Sequence, residues 1–492
     1  MQRSLRLSLL PVLITSLLLV SACTTNRATG EQSFTAFMSE DDEKRVGAEE
    51  HPKILAEFGG DYGSPKLRNY ISSIGKKLAA VSEVPNLPYR FTILNDEKVN
   101  AFALPGGYVY ITRGLLALAE NEAEVAGVLA HEIGHITARH SAQRYSTTQA
   151  ANIGLTVLGV LGSVVGLPSG IGQAVSMGTQ AAVQGHSRGQ ELQADMLGVR
   201  YMTKVGYTPD GMTGFFNKLA AHSKLEARMK GEDGVSHNIM STHPRTEDRI
   251  TQAIKLAKAK KVSNPRVARN QFLDQIDGLV FGDDPDQGVR RNREFIHPGL
   301  KIRYEVPPGY VLFNAPSHVT AIGPNKSRIV FDMPDQKTAR QVSSLRHYLV
   351  NVYGKSLRLQ GIEDIEVNGF GGITGTGKIP TQAGTQDLRL IVLRGNPNQI
   401  FRFAFFTDPD RTAQLSEDLR RTTYSFKRIS DSEANSLKPL RISLHTVTTR
   451  DNVRSLSSRL PFGKFNEQWF RVLNALEPGD KLLPGNQIKL VQ

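Results

Sequence analysis

The sequence predicts a multidomain α+β protein: a mainly helical domain with a small edge β-sheet, then a β-rich α+β domain, then a small βααβ unit. Three observations predict this. Helical patterning dominates from about Asp41 to Lys261, strand-length apolar runs separated by Gly and Pro turns take over from about Lys301, and a strand–helix–helix–strand pattern runs from about Leu440. A chain of 492 residues is also too long for one compact core. The hydrophobic share of 39% is that of a globular protein, and the formal charge of +13 gives a basic surface. Such a surface favours anionic partners such as lipid headgroups or cell-wall polymer. No nucleic-acid-binding module is legible, so nucleic acid is not expected among them.

At the N-terminus, Arg3 and Arg6 precede an apolar stretch from Leu7 to Val20, and Ser21 and Ala22 lead to Cys23. The stretch is too short to span a bilayer comfortably, and residues 1–22 read as a secretory signal peptide. The string "VSAC" resembles a bacterial lipobox, which implies lipid on Cys23 and a membrane tether in the periplasm. Thr24 in place of Asp implies the outer membrane. Cys23 is the only cysteine, which excludes an intramolecular disulfide and cysteine-ligated zinc. Residues 23–38 then read as a lipidated N-terminus and linker, 39–265 as the helical domain, 266–298 as a linker, 299–432 as the β-rich domain and 438–492 as the terminal unit.

Within the helical domain, Leu67 to Val81 is an amphipathic helix, and "PYRFTILND" with "NAFALPGGYVYITRGLL" supplies strands and a turn. "GLLALAENEAEVAGVLAHEIGHITARHSAQR" reads as a helical run. Between Arg144 and Arg188 there is no charged residue, and the stretch is rich in Gly, Ala and β-branched residues. It reads as a lid or membrane-facing hairpin or as buried core, and Pro168 argues against a full span.

The segment "VLAHEIGHITARH" places His131 and His135 four residues apart. At 3.6 residues per turn both imidazoles project from one face, where both can reach one zinc ion at about 2.0 Å. Glu132 lies about 100° around the helix, beside the metal, placed to take a proton from activated water and pass it to a leaving amine. A third ligand is expected from a second element. "SRGQELQADMLG" is helical and offers Glu191, with Asp195 one turn on to accept the free N–H of a ligating histidine. Three protein ligands leave an open position, the mark of a catalytic zinc, so one Zn2+ per chain is expected. His140 falls off the ligand face and is read as packing or capping.

"HEIGH" followed by "ELQAD" resembles the zinc metalloproteases of the CAAX prenyl protease, HtpX and BepA type, a gluzincin family, over about Ser39 to Lys261. The resemblance implies that "NAFALPGG", with Asn100, Ala101 and Phe102, is an edge strand to which a substrate strand adds. It also implies that His243, in "MSTHPRTEDRI", is an inhibitory extra ligand on a movable loop; stabilising the oxyanion and capping a helix are alternative roles. Arg188 and Arg249 are read as bracing the site. The lipobox-bearing form is similar to the periplasmic BepA-like branch, without that branch's helical repeats.

The β-rich block shows no cluster of catalytic residue types and faintly resembles PsbP-like domains; it is read as a docking module. The last unit resembles a degenerate LysM module, with Arg450 where a glycine is usual before Asp451. From Lys438 onward nine Lys or Arg stand against four Asp or Glu, a charge suited to peptidoglycan. Together these readings imply an envelope zinc endopeptidase acting on unfolded or misassembled envelope proteins. The alternative is a zinc-containing chaperone or wall-tethered scaffold with a plugged site.

Overall fold

The computed structural model describes residues 23–159, 185–230, 243, 249, 252, 255, 259, 262–324, 327–381 and 384–492. The signal peptide, most of the charge-free stretch and the residues flanking His243 lie outside the described residues.

The chain starts with a short hairpin, β1 (Cys23–Thr25) against β2 (Gln32–Phe34). Helices α1 (Glu40–Glu57) and α2 (Pro65–Ala79) follow, each opened by a serine whose side chain accepts a backbone N–H of the first turn. Helix α2 buries Leu67, Ile71, Ile74 and Leu78, the predicted apolar stripe. Strands β3 (Arg90–Leu94), β4 (Ala101–Leu104) and β5 (Tyr108–Thr112) form a sheet in the order β3-β5-β4, which leaves β4 at the edge. The tight β4–β5 turn uses Gly106 and Gly107 at φ 81° and 95°, values a side chain rarely adopts.

The predicted helical run from Gly114 is three helices: α3 (Arg113–Leu118), α4 (Glu122–Thr137) and α5 (His140–Gly159). The first break is made by Asn121, whose side chain accepts from Glu124 N and starts α4 afresh. The second is made by Arg139, in the left-handed region at φ 55°. Its guanidinium is held there by Glu43 at 3.0 Å and the Met38 carbonyl at 2.8 Å. Helices α6 (Arg188–Lys204) and α7 (Asp210–Lys230) pack against α4, which is buried along nearly its whole length.

Residues 266–298, expected as a linker, contain helix α8 (Arg269–Ile276) and strands β6 (Val280–Phe281), β7 (Val289–Arg291) and β8 (Glu294–His297). Phe272, Leu273 and Ile276 of α8 are buried in the same core as α4, so this segment is anchored by apolar contact. Strands β7 and β8 continue into β9 (Ile302–Glu305), part of a four-stranded sheet. The following domain is a seven-stranded antiparallel sheet. Its strands spanning 311–315, 318–322, 328–332, 384–396 and 399–407 fall on the predicted apolar runs, with two further strands at 360–367 and 370–381. Alternation is clear in 399–407: Phe401, Phe403 and Phe405 face one core, Ile400 and Ala404 the other.

The terminal unit has the predicted βααβ order: strands 440–446 and 487–491 pair antiparallel around helices 453–457 and 466–473. Its helix N-cap is Asn452, while Asp451 closes the preceding turn by accepting from Thr448 N at 2.7 Å. The unit is fused to the helical domain. Strand 440–446 also pairs β6, and Trp469, Phe470, Leu473 and Leu490 belong to the core that contains α4. Lys489 is fully buried, and its ammonium donates to the carbonyls of Ala117, Leu118 and Ala119 at 3.0, 3.2 and 2.7 Å. It thereby satisfies carbonyls at the C-terminal end of α3 that have no helical partner.

Burial lowers the Lys489 pKa from 10.5 to about 8. Between those values the unfolded chain holds the proton that the folded chain has lost, so this lysine's contribution to stability rises from pH 8 to 10.5. Lys489→Met, which strands three carbonyls, is expected to lower unfolding stability by about 2–4 kcal/mol near pH 7. Urea unfolding checks both effects: parent and variant should diverge further as the pH is raised through that window.

Candidate active site

Helices α4 and α6 meet at glycines. A Cβ on Gly134 would lie 2.9 Å from the Ala194 carbonyl, and one on Gly198 3.2 Å from the His131 nitrogen and 2.7 Å from Met212 Cε. Only glycine at these positions lets the two backbones approach closely enough for side chains of α6 to reach those of α4. Ser187 caps α6 in a reciprocal bond with Gln190, which places Glu191 in the first turn, where the helix dipole favours a carboxylate.

The result is a buried cluster. Ligand atoms of His131, His135, Glu191 and His243 all lie within 4.8 Å of one another, a group that could hold a metal ion. His131 Nε2 and His135 Nε2 are 2.9 Å apart, and His243 Nδ1 is 3.2 Å from His131 Nε2 and 2.9 Å from Glu191 Oε1. Glu191 lies 3.5 Å from His131 Nε2 and 3.4 Å from His135 Nε2.

Asp195 Oδ1 accepts from His131 Nδ1 at 2.8 Å, which fixes the proton on that nitrogen and turns the Nε2 lone pair into the cluster. Arg249 donates to both oxygens of Asp195 at 2.8 Å, to the His243 carbonyl at 3.2 Å, and pairs with Glu191 at 2.7 Å. Burial would raise the Asp195 pKa, but the bonds from Arg249 and His131 outweigh it and hold the carboxyl below its ordinary range. Of the two expected bracing arginines, Arg249 is buried among these carboxylates, and Arg188 is exposed at the start of α6.

Glu132 is 1% exposed, and neither of its oxygens has a hydrogen-bond partner among the described residues. His243 Nε2 is 3.7 Å from its Oε1. Burial pushes its carboxyl up. A small apolar cavity beside it is lined by Val128, Met212, Phe215 and Leu219 together with His131 and His243.

These residues fit zinc. Two imidazole lone pairs directed at one point repel each other unless a cation lies between them, and the donor set of imidazole nitrogen and carboxylate oxygen is the one zinc takes.

A cleft of about 240 Å³ runs past His135 and Thr137, bounded by Ala103, Leu104, Pro105 and Gly106 and by Thr24, Thr25 and Asn26 of the N-terminal hairpin. Thr112 N donates to the Asn100 carbonyl, so Asn100 bonds inward to β5; antiparallel alternation then turns the peptide groups of Ala101 and Ala103 outward. Phe102, expected along the substrate strand, is buried between Phe58 and Tyr110 and is core.

His140, read as packing or capping, does pack, but against a ring that sequence reasoning did not pair it with. Its Nδ1 is 2.8 Å from His135 Nδ1, and it is fully buried. On one continuous helix a residue five positions on lies well off the ligand face, but the left-handed Arg139 folds it back. His186 was not singled out either; its ring stacks on His135 at 3.8 Å.

Residues 65–257 match the family model "Peptidase family M48". The chain is 32% identical over 215 residues to "Beta-barrel assembly-enhancing protease" of Yersinia pestis, covering 42% of each chain. It is 32% identical over 195 residues to the protein of that name from Escherichia coli strain K12, covering 38% of each. With "Mitochondrial metalloendopeptidase OMA1" of Schizosaccharomyces pombe it shares 28% identity over 221 residues, 43% of this chain and 60% of that one. The chain thus spans about two fifths of the length of the first two relatives. Among solved structures, cyanobacterial PsbP from Synechocystis aligns at 12% identity with a TM-score of 0.23, over 30% of this chain and 98% of that one, a level that carries no argument. Residues 65–257 of this chain are thus similar to the M48 peptidase family, and they carry the His131, His135, Glu191 and His243 group that could hold a metal ion.

Proposed function

We propose that the chain is an envelope zinc-dependent endopeptidase that hydrolyses peptide bonds of unfolded or misassembled envelope proteins. The observation that carries this reading is Glu132: a buried carboxylate with no hydrogen-bond partner among the described residues, beside a cluster of three histidines and a glutamate. A structural metal site has no use for such a group, because a buried carboxylate without a hydrogen bond costs stability.

His131, His135 and Glu191 hold the metal, and Asp195 with Arg249 orients His131. Zinc bound there supplies Lewis-acid activation of water and of the scissile carbonyl. Glu132 takes a proton from the attacking water as its oxygen bonds to the carbonyl carbon. The same carboxyl then gives that proton to the departing amine as the C–N bond breaks. Substrate enters as an extended segment along the open edge of β4, paired through the outward peptide groups of Ala101 and Ala103. Such pairing reads backbone, which suits unfolded segments of varied sequence. The relatives named for β-barrel assembly support the substrate class.

A lipid on Cys23 tethers the chain to the periplasmic face of a membrane, the outer membrane by the residue that follows. The basic terminal unit offers a second attachment, to peptidoglycan, and the 299–432 domain serves docking. No helix among the described residues is long and apolar enough to cross a membrane.

A second reading is favoured by the position of His243. Lying within the cluster and 3.7 Å from Glu132, it completes a four-ligand set and makes the chain a chaperone or scaffold with a plugged site. Degradation of an unfolded model protein by the zinc-loaded chain separates the two. His243→Ala is expected to raise cleavage severalfold, and adding Glu132→Gln to lower it by about 100-fold or more. Zinc-loaded His243→Ala that cleaves nothing would favour the plugged reading.

Ala103→Pro deletes one outward N–H and leaves the bonds to β5 intact, since proline is tolerated on an edge strand. It is expected to raise KM about tenfold, the worth of one hydrogen bond, with zinc content unchanged. Steady-state kinetics on a peptide substrate, with metal analysis alongside, checks it.

A further inference from the structure

His135 turns Nε2 toward the cluster, so in the neutral ring its proton lies on Nδ1 and needs an acceptor. The group it meets is Nδ1 of His140, 2.8 Å away. His140 Nε2 lies 3.0 Å from Gln193 Oε1, and Gln193 Nε2 donates to Glu31 Oε2.

The direction of every donor in this chain is set from its far end. A carboxylate only accepts, so Gln193 turns its amide nitrogen to Glu31 and its oxygen to His140. That oxygen also only accepts, so the His140 proton is on Nε2. The His140 Nδ1 is then the acceptor, and His135 must donate from Nδ1, leaving the Nε2 lone pair facing the cluster. Starting from the metal end gives the same assignment at every link. His131 obtains the equivalent result from Asp195, but His135 has no carboxylate against its Nδ1, and an imidazole stands in that place. The stacked ring of His186 covers the face of His135 and supplies no in-plane acceptor.

We propose that His140 is the positioning residue of the metal centre, fixing the tautomer and rotation of His135. The Glu31–Gln193–His140–His135 chain thereby makes the N-terminal hairpin a working part of that centre. Glu31 follows the Asn26–Gly30 turn between β1 and β2, and this turn is itself bound to the catalytic helices. Asn26 donates to the Ala138 carbonyl at 2.8 Å, and Arg200 donates to the Ala28 carbonyl at 3.0 Å. The segment that follows Cys23 is thus tied to a metal ligand through side chains on three elements. The proposal rests on the assignment of His135 as a metal ligand.

The size of each effect follows from burial. His140 is fully buried, Gln193 half-buried and Glu31 exposed. A lost acceptor behind a ligating histidine typically weakens metal binding 10–100-fold. His140→Phe, which fills the space without accepting, is expected to fall in that range, and Gln193→Leu to weaken zinc severalfold. Glu31→Ala should change it by about twofold or less, because water replaces an exposed partner.

The test is zinc affinity of the full chain by chelator competition, with far-UV circular dichroism and thermal unfolding of the metal-free variants to establish folding. Gln193→Glu keeps an acceptor toward His140 and should retain affinity where Gln193→Leu loses it, a split that simple packing at this position would not produce. Loss of zinc in His135→Ala with parent-level affinity in both His140→Phe and Gln193→Leu would overturn the relay and leave the metal assignment standing. Parent-level affinity in His135→Ala would overturn the metal assignment, and the relay with it. Should His140→Phe fail to fold, the Gln193 pair decides alone.

Discussion

Two imidazole lone pairs are aimed at one point inside a buried helical core, and much of the surrounding architecture serves that arrangement. His131 Nε2 and His135 Nε2 stand 2.9 Å apart, a contact that is repulsive until a cation occupies it. Holding both rings there requires an acceptor behind each Nδ1, a carboxylate in front, and a countercharge for the carboxylates. Asp195, His140, Glu191 and Arg249 fill those positions. They come from three segments of the chain, so the helices must approach closely, and Gly134 and Gly198 at the crossing of α4 and α6 allow it. A side chain at either glycine would separate the carboxylates from the histidines before any chemistry was affected.

How much of this is legible in the sequence depends on whether a residue's role is local. The His131–His135 pair and the Glu191–Asp195 pair follow from helical period alone, and α4 and α6 place them as the period demands. Edge strand β4 and its glycine turn are likewise local. His140 is the opposite case. Its position depends on the left-handed Arg139, and that conformation is held by Glu43 and Met38, about a hundred residues earlier. No spacing rule contains that information. Arg249 is similar, since its partners on α6 are distant in sequence. In the β-rich domain the strand at 370–381 has four glycines and a proline, which argue against a strand. The register explains them in part: a Cβ on Gly372 would lie 2.5 Å from Leu393 Cδ2.

The same distinction applies to the boundaries between units. Composition marks 266–298 and the terminal βααβ unit as separable from the helical domain. Yet Phe272, Trp469 and Leu490 complete one apolar cluster with α4. Lys489 shows what the fusion does to stability: an ammonium is buried whole, and its desolvation is offset by three carbonyls at the end of α3. A module built to move independently would not place a charge there. The terminal unit is therefore a structural partner of the helix whose C-terminal half bears His131 and His135, whatever it binds on its outer face.

His243 occupies the place where these constraints conflict. Its Nδ1 lies 2.9 Å from Glu191 Oε1, and its backbone carbonyl is held by Arg249. Arg249 also clamps Asp195, the acceptor behind His131. A movement that withdraws the His243 ring while Arg249 stays in place breaks its contact with the Glu191 carboxylate and leaves the Asp195 clamp whole. A movement that carries Arg249 along strips the countercharge from two buried carboxylates, which costs several kcal/mol. On the proposed function, these energetics favour displacement of His243 against a fixed Arg249, which would open a position beside Glu132 and leave the contacts of His131 and Glu191 with Asp195 and Arg249 in place. On the proposed reading of His243 as a plug, it would share Glu191 with the metal site and leave Asp195, the carboxylate behind His131, alone.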